Sequence, residues 1–131
     1  MPNALIAGVL VEEMVTGGCE TIVGMTRDAA FGPLVMFGLG GVLVEALHDV
    51  VFRIAPIGDV DACAMLTSIR GAKLLDGIRG APAADRRSIT SVIQRVGQLA
   101  MDFPEIGELD VNPLLALPDR AVALDARVAI T

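Results

Sequence analysis

Apolar residues in the first half of the chain occur in short runs that predict strands. Residues 8–15 are rich in Val, and residues 20–27 alternate in part between polar and apolar side chains. Thr16-Gly17-Gly18 lies between these runs and has the composition of a tight turn, so together they predict a β-hairpin. Residues 33–37 and 50–54 predict two further strands, the second closed by Pro56. The first half of the chain therefore predicts a group of four strands.

The hydrophobic period changes near residue 60. Residues 60–70 carry apolar side chains near helical spacing, and residues 85–101 form the clearest helical pattern. One apolar stripe runs along that second helix, consisting of Ile89, Val92, Ile93, Val96, Leu99 and Ala100. Residues 106–111 then alternate as a strand, which Asn112-Pro113 is expected to break and residues 114–117 could continue. Residues 121–130 predict the last strand.

The order of these elements is strands, two helices, then strands. The first three strands are joined by connections too short for the helical crossover that a parallel pair requires. We therefore predict an α+β fold with a mainly antiparallel sheet and the helices on one face. A length of 131 residues predicts a single domain, residues 1–131.

Composition narrows the class of protein. Hydrophobic residues make up 53% of the chain, which is enough for a packed core, and the net charge is −6. The sequence has no basic patch of the kind that binds nucleic acid or an anionic membrane. Charges or glycines interrupt each apolar run before it reaches the length of a membrane span. Two cysteines without metal-site spacing are typical of free thiols in a cytoplasmic protein.

Three polar residues near the end of the chain are candidate metal ligands. Asp110 and Asn112 lie two apart in a predicted strand and so share a face. Asp125 lies in the middle of an apolar run, and if its strand neighbours the first, Asn112 and Asp125 could face each other. Their oxygens are the hard ligands that Mg²⁺ accepts. Alternatively, Asp110 is solvated, Asn112-Pro113 is a plain turn, and Asp125 is a surface partner of Arg127.

The glycine-rich run Gly38-Leu39-Gly40-Gly41 is a second candidate. Glycine lets backbone N–H groups approach a phosphate, and a short helix could begin after it, at residues 42–46. The run matches neither a Walker A nor a dinucleotide-binding fingerprint, and a sharp bend between two strands explains it equally well. His48, the single histidine, has no nucleophile motif that would support a catalytic triad.

Charged residues of the first strands are weaker candidates. The Glu20 carboxylate could accept both hydroxyls of a ribose, or it could be a solvent-facing hairpin residue, as Glu12 and Glu13 could be. Arg53 lies near the end of an apolar strand, where it could contact phosphate or form a surface ion pair. The residue pattern does not choose between these alternatives.

Three stretches together resemble one family. They are GVLVEEMVTGGCETIVGMTRDAAFGPLVMFGLGGVLVEALHDVVFRIAPI at residues 8–57, FPEIGELDVNPLLAL at 103–117 and VALDARVAI at 122–130. They resemble, in order and over almost the whole chain, the C-terminal part of the ATP-grasp domain of ADP-forming acyl-CoA synthetases, such as ADP-forming acetate–CoA ligase. The β subunit of succinyl-CoA synthetase is a more distant relative.

The resemblance implies roles for individual residues. The backbone around Glu13 and Val15 would meet the adenine of ATP or ADP, Glu20 the ribose, and Arg53 a phosphate. The Mg²⁺ ligands would be Asn112 and Asp125, with Asp110 as a lesser candidate. It implies no firm role for the glycine run or for Glu45.

The resemblance also implies partners and a reaction. An acid, CoA and ATP would give acyl-CoA, ADP and phosphate, through a phosphohistidine that lies in another part of the enzyme; His48 stands where a lysine is more usual. The phosphate-binding lysines belong to an upstream half, and Lys73 is the single lysine here. We therefore expect a part of a larger or split enzyme that is inactive alone and lacks the upstream ATP-grasp half and the CoA-binding domains.

One alternative function remains at this stage. The chain could be a degenerate, non-catalytic regulatory or interaction domain, for example in a protein acetyltransferase that carries a synthetase-like region. Whichever holds, a half-domain exposes the apolar face that its partner would cover, which predicts a homo-oligomer of this chain.

Overall fold

A computed structural model of the chain describes residues 7–41, 49–78 and 80–131. The short helix predicted at 42–46, Glu45 and His48 lie outside these residues. The helices and strands in chain order are β1 Cys19–Asp28, β2 Gly32–Leu39, β3 Val50–Ile54, α1 Asp59–Ser68, a 3-10 helix at Ala72–Asp76, α2 Arg86–Asp102, β4 Ile106–Ala116, β5 Ala121–Ala123 and β6 Ala126–Ile130.

The described strands form one antiparallel sheet. Its order is β3-β2-β1-β4-β5, and β6 pairs with the first half of β4, in line with β5. β1 and β2 make a hairpin at whose turn the Asp28 carboxylate accepts hydrogen bonds from the backbone N–H groups of Ala30 and Phe31. These two bonds lower the pKa of the Asp28 carboxyl.

Both α-helices pack on the same face of the sheet. α1 lies against β2 and β3, whereas α2 lies against β1, β2 and β4. The largest fully buried side chains between the layers are Phe37, Leu39, Met65, Leu66, Leu75, Ile89, Ile93 and Leu114. The predicted α+β class, with an antiparallel sheet and helices on one face, is confirmed. We call the opposite side of the sheet the open face.

Both predicted helices are present within one or two residues of their expected ends. Asp85 caps α2, because its side chain accepts a hydrogen bond from the backbone N–H of Arg87. The predicted stripe of α2 is buried at Ile89, Ile93, Val96 and Ala100 and half-buried at Val92, but Leu99 is 38% exposed. In α1 the pattern was less reliable, since Val60 is 82% exposed. No helix of the described ranges has the length and apolar character needed to cross a membrane.

The hairpin predicted from residues 8–27 is wrong. Its second strand exists as β1, but residues 7–16 form no strand. Both edges of β1 are already hydrogen-bonded, one to β2 and the other to β4, so neither is open to a preceding strand. Residues 7–14 are instead exposed, with Val9, Val11 and Met14 between 86% and 90% accessible.

The break expected at Asn112-Pro113 is also wrong, because β4 continues through it to Ala116. Val23 pairs with Val111 and Thr21 with Leu114, so Asn112 and Pro113 together oppose a single residue of β1. This bulge accommodates a proline that cannot donate to the ladder. The two predicted segments are therefore one strand.

The single strand expected at 121–130 is divided at Leu124-Asp125 into β5 and β6. Leu124 N–H donates to the Pro113 carbonyl, at 3.0 Å, and Asn112 N–H donates to the Asp125 carbonyl, at 3.1 Å. The break thus lies directly opposite the bulge in β4, so two irregularities of neighbouring strands face each other.

Two polar side chains connect the helices to the sheet through hydrogen bonds. The Arg27 guanidinium donates to the carbonyls of Ala100 and Phe103 at the end of α2 and to that of Ile106 at the start of β4. Asp49, which is 5% exposed, accepts hydrogen bonds of 2.7 Å from the backbone N–H groups of Arg70 and Gly71 after α1.

Candidate functional site

One row of residues crosses the open face in register. From β3 to β6 it consists of Phe52, Met36, Gly24, Asp110 and Arg127. At its centre Gly24 forms a low floor: a Cβ added there would lie 3.1 Å from Met36 Cε and 3.6 Å from Asp110 Oδ1. The result is a groove of about 340 Å³, with an apolar half on β2–β3 and a charged half on β4–β6.

Asn112 and Asp125 meet next to this row. Their backbones are hydrogen-bonded, and the neighbouring register pairs Val111 with Ala126 and Asp110 with Arg127. Side chains alternate between faces along a strand, which places Asn112 and Asp125 on the open face beside Asp110 and Arg127. The two strands are neighbours, so the backbones of Asn112 and Asp125 face each other as expected for that case.

These residues offer oxygen donors of the kind that Mg²⁺ accepts. Asn112 and Asp125 are exposed, and Asp110 is half-buried. Asp125 Oδ1 accepts a hydrogen bond from the N–H of Ala126, at 2.9 Å, which fixes one side of its carboxylate. Among the described residues no cluster of three or more His, Cys, Asp or Glu side chains is suited to a metal. A small donor set fits Mg²⁺, which is usually held by one or two carboxylates, water and substrate phosphates.

Glu20 lies on the open face too, at the start of β1. It is four residues from Gly24, a separation of about 13 Å along the strand. Its carbonyl accepts a hydrogen bond from Gly40 N–H at 2.6 Å. Gly41 has φ of 63°, a conformation that favours glycine, and a Cβ there would lie 2.6 Å from Glu20 Oε2, so a larger residue would also move the Glu20 carboxylate. The glycine run is not a loop throughout, because Gly38 belongs to β2 and pairs with Val50.

A second cavity of about 410 Å³ adjoins this end of the sheet. Cys19, Glu20, Gly40 and Gly41 line one side of it, and Leu74 from the 3-10 helix lines the other. Burial, and to a smaller extent the Glu20 carboxylate, raises the pKa of the Cys19 thiol above its ordinary value. The thiol is therefore a poor nucleophile near neutral pH.

Arg53 is not brought together with the other candidates. It is in register with Val35, whose side chain lies in the core, so Arg53 is on the helical side of the sheet. Its Nη1 donates to the carbonyl of Phe52 at 2.8 Å. Its neighbour Phe52 lines the open-face groove instead.

Glu13 and Val15 lie in the irregular segment that precedes β1. Glu13 is exposed and forms an ion pair of 3.3 Å with Arg120, in the turn before β5. Val15 is half-buried. This exposed contact lies at the β4–β5 end of the sheet, the same end at which Glu20 lies opposite Leu115.

A family model that describes the ATP-grasp domain matches residues 1–130. The chain belongs to the ATP-grasp family. The fold and the family agree with the resemblance seen in the sequence.

Named relatives of this ATP-grasp chain are acid–CoA ligases. It is 46% identical over 129 residues to the β subunit of ADP-forming acetate–CoA ligase I from Pyrococcus furiosus, covering 98% of this chain and 56% of that subunit. It is 48% identical over 115 residues to an ADP-forming 4-hydroxybutyrate–CoA ligase from Nitrosopumilus maritimus, covering 88% of this chain and 16% of that protein. The chain thus spans about half of the β subunit, and less of the longer relative.

Solved structures give the same result. An acetyl-coenzyme A synthetase 1 from Ca. Korarchaeum cryptofilum, in complex with coenzyme A and Ca-AMPCP, superposes with a TM-score of 0.93 at 44% identity, covering 99% of this chain and 57% of that one. A complex of the same synthetase with Mg-AMPPCP, in which a phosphohistidine segment points towards the nucleotide binding site, gives a TM-score of 0.86 at 42% identity, covering 89% and 55%.

Sequence reasoning gave Arg127 no role beyond that of a surface partner for Asp125. The ATP-grasp sheet places it in the groove, opposite Asp110. A signal was available, since Asp125 and Arg127 are two residues apart and so share a face of an extended chain. What the sequence lacked was the register that sets Arg127 beside Asp110.

Proposed function

We propose that this chain is the nucleotide- and magnesium-binding part of an ADP-forming acyl-CoA synthetase. The observation that carries the proposal is the meeting of Asn112 and Asp125 where the bulge in β4 faces the break between β5 and β6. Glu20 lies on the same face of the sheet. The relatives, which are named as acid–CoA ligases, support the reaction class.

In this proposal Asn112 and Asp125 hold Mg²⁺, and Asp110 lies close enough along β4 to act through a bound water. The ion would supply charge neutralisation at the nucleotide phosphates during phosphoryl transfer. The chain's own residues orient the donors: the hydrogen bond from Ala126 to Asp125 holds one carboxylate oxygen, and the hydrogen bond between Asn112 and Asp125 sets the spacing of the two strands.

The nucleoside would bind at the end of the open face where Glu20 lies. The Glu20 carboxylate, in contact with Gly41, would accept the ribose hydroxyls of ATP or ADP. The backbone around Glu13 and Val15 would contact the adenine, a role that requires the irregular segment to stay extended. Asn112 lies between the partners of Thr21 and Val23, so the metal site is about two residues, or roughly 7 Å, from Glu20 along β1. The phosphate chain would therefore run from the ribose past the metal towards the row that contains Gly24.

We expect residues 1–131 to act as one subdomain of a larger assembly. The lysines that contact phosphate in this family would come from an upstream ATP-grasp half, and the CoA-binding domains from elsewhere in the same protein or from a partner subunit. The isolated chain should therefore bind nucleotide weakly and not catalyse acyl-CoA formation by itself. The acyl group is selected outside these residues.

An NMR titration with Mn²⁺, with and without ADP, tests the proposal. Mn²⁺ replaces Mg²⁺ and broadens the signals of nearby amides. We expect selective broadening around Asn112 and Asp125, strengthened by ADP, and its loss in Asp125→Ala. Asp119→Asn is the matched control, because Asp119 is an exposed acid in the β4–β5 turn and should not alter the effect.

Two results would count against the proposal. Broadening that follows surface acids in general, and that Asp119→Asn reduces as much as Asp125→Ala does, would mean that the chain has no specific metal site. If a longer protein that contains the upstream half also showed no effect at Asn112 and Asp125, the domain would be non-catalytic, in agreement with the regulatory alternative.

A further inference from the structure

Arg127 occupies a position on the open face that the proposed function leaves without a role. It lies opposite Asp110 in the β4–β6 ladder and lines the groove with Met36 and Phe52. Two residues earlier the same chain supplies Asp125. The guanidinium is thus carried by the strand that begins directly after a proposed metal ligand, on the same side of the sheet.

Arg127 forms no ion pair with Asp110 or Asp125, the acids beside it. Among the described residues, the ion pairs are Arg86 with Asp76 and Arg120 with Glu13, and neither Asp110 nor Asp125 is joined to Arg127. A carboxylate directly opposite in an antiparallel ladder is an available partner. The exposed guanidinium therefore keeps its donors available for another acceptor.

The surrounding charge indicates what that acceptor is. Glu108 and Asp110 line the charged half of the groove, and Asp125 lies next to it. One divalent ion cannot offset both these carboxylates and the charges of a nucleotide polyphosphate. A planar guanidinium binds phosphate oxygens through two parallel hydrogen bonds, and it cannot be deprotonated near neutral pH.

We propose that Arg127, and not Arg53, is the residue of this chain that binds the polyphosphate of the nucleotide. This inference rests on the proposed function, because it places the phosphates over the groove beside the metal held by Asn112 and Asp125. Arg53 lies on the opposite side of the sheet with one guanidinium nitrogen bonded to Phe52. Arg127 is thus a binding residue that also offsets the repulsion between phosphate and the acids of β4.

Magnesium pyrophosphate is a suitable probe, because it has the phosphates of the nucleotide without the nucleoside. The Nε–H signals of the arginines can be followed by NMR during its titration into the wild-type chain. We expect a saturable shift of the Arg127 signal and none of the Arg53 signal. Arg127→Gln should weaken the affinity about tenfold or more, as expected for loss of hydrogen bonds from a charged donor.

Arg53→Gln is the matched control, since it removes the same group from the other face and should leave the affinity unchanged. Arg127→Lys keeps the charge but loses the paired donors, so its affinity should fall between those of the wild type and Arg127→Gln. Because Arg127 is exposed, the melting temperature of Arg127→Gln should match that of the wild type. If that variant failed to fold, the Arg127 signal of the wild-type chain would still show whether Arg127 binds pyrophosphate.

An unchanged Arg127 signal at saturating pyrophosphate overturns the inference, as does an equal loss of affinity in Arg53→Gln. The Mn²⁺ titration with ADP separates this failure from that of the proposed function. Broadening at Asn112 and Asp125 without an effect of pyrophosphate on the Arg127 signal would contradict the role of Arg127 and leave the proposed metal site intact. A shift of the Arg127 signal by pyrophosphate without ADP-dependent broadening would support an anion site at Arg127 and contradict nucleotide binding.

Discussion

At the scale of single residues, Arg27 connects more of the molecule than any pattern in its strand indicates. Its guanidinium donates to carbonyls of Ala100, Phe103 and Ile106 at distances between 2.6 and 2.9 Å. Two of these carbonyls belong to the last turn of α2 and the residue after it, where the helix leaves acceptors without internal partners. One side chain thus closes the helix end and fixes its height above the sheet.

We expect Arg27→Met to lower the free energy of unfolding by about 3 kcal/mol, because it leaves partly buried carbonyls without a charged donor. Urea denaturation followed by far-UV circular dichroism measures the change. Arg95→Met is the control, since Arg95 is exposed on α2 and its Nε contacts only Ser91, at 3.4 Å. Equal losses in both variants would show that Arg27 has no special role.

The sequence was informative about residues whose chemistry conflicts with their surroundings. Asp125 in an apolar run and Asn112 two residues after Asp110 raised a metal site as one of two alternatives, and the structure brings the backbones of Asn112 and Asp125 together. Arg27 gave no such signal, and the position of Arg53 in an apolar strand did not reveal its face, because an arginine in a strand looks the same whichever face it occupies. Assigning the face needs the register of the neighbouring strand, which is a property of the whole sheet.

At the scale of elements, the Asp49 carboxylate joins the start of β3 to the turn that follows α1. Its two oxygens each accept a different backbone N–H, from Arg70 and from Gly71. The 3-10 helix, which lines one side of the cavity beside Glu20, begins immediately after Gly71. Asp49 therefore sets the position of that element relative to the sheet.

Asp49→Asn should reduce the free energy of unfolding by about 2 kcal/mol, because an amide replaces one buried acceptor with a donor that faces an N–H group. Asp28→Asn is a matched control: Asp28 accepts both of its backbone hydrogen bonds through Oδ1 alone, and an asparagine oxygen can do the same. Thermal melting of both variants tests the contrast. A stability loss for Asp28→Asn as large as that for Asp49→Asn would contradict it.

Local patterns identified the helices and most strands, but not the ends of strands that depend on pairing. The segment 8–15 has the composition of a strand, yet β2 and β4 occupy both edges of β1. Asn112-Pro113 has the composition of a turn, yet the bulge absorbs the proline within β4. In each case the number of available neighbours, which no local window contains, decided the outcome.

At the scale of the whole molecule, the antiparallel sheet could be predicted from the sequence, because the connections between the first strands are too short for helical crossovers. The two helices cover one face of that sheet. Apolar side chains remain exposed elsewhere. They include Val9, Leu10, Val11 and Met14 in the irregular segment and Val128 and Ile130 on β6. Exposed apolar surface of this kind favours association.

We expect the isolated chain to form homodimers or larger oligomers at high concentration. Size-exclusion chromatography with light scattering should show a mass that rises with concentration. Val9→Glu combined with Val11→Glu should shift the chain towards monomers, whereas Val60→Glu, at an exposed position on α1, should not. A monomer at every concentration would show that the exposed segment does not drive self-association.

The facing irregularities in β4 and β5–β6 have a consequence for how such a site can change over time. Asp125 reaches Asn112 through main-chain hydrogen bonds between residues 112–113 and 124–125, and main-chain groups are common to nearly all residue types. Mutation of the surrounding side chains can therefore alter the groove while the two positions stay aligned. Insertion or deletion of one residue within the paired stretches 114–116 or 121–123 would instead shift the register that aligns the pair, whereas the exposed turn between β4 and β5 can absorb such a change.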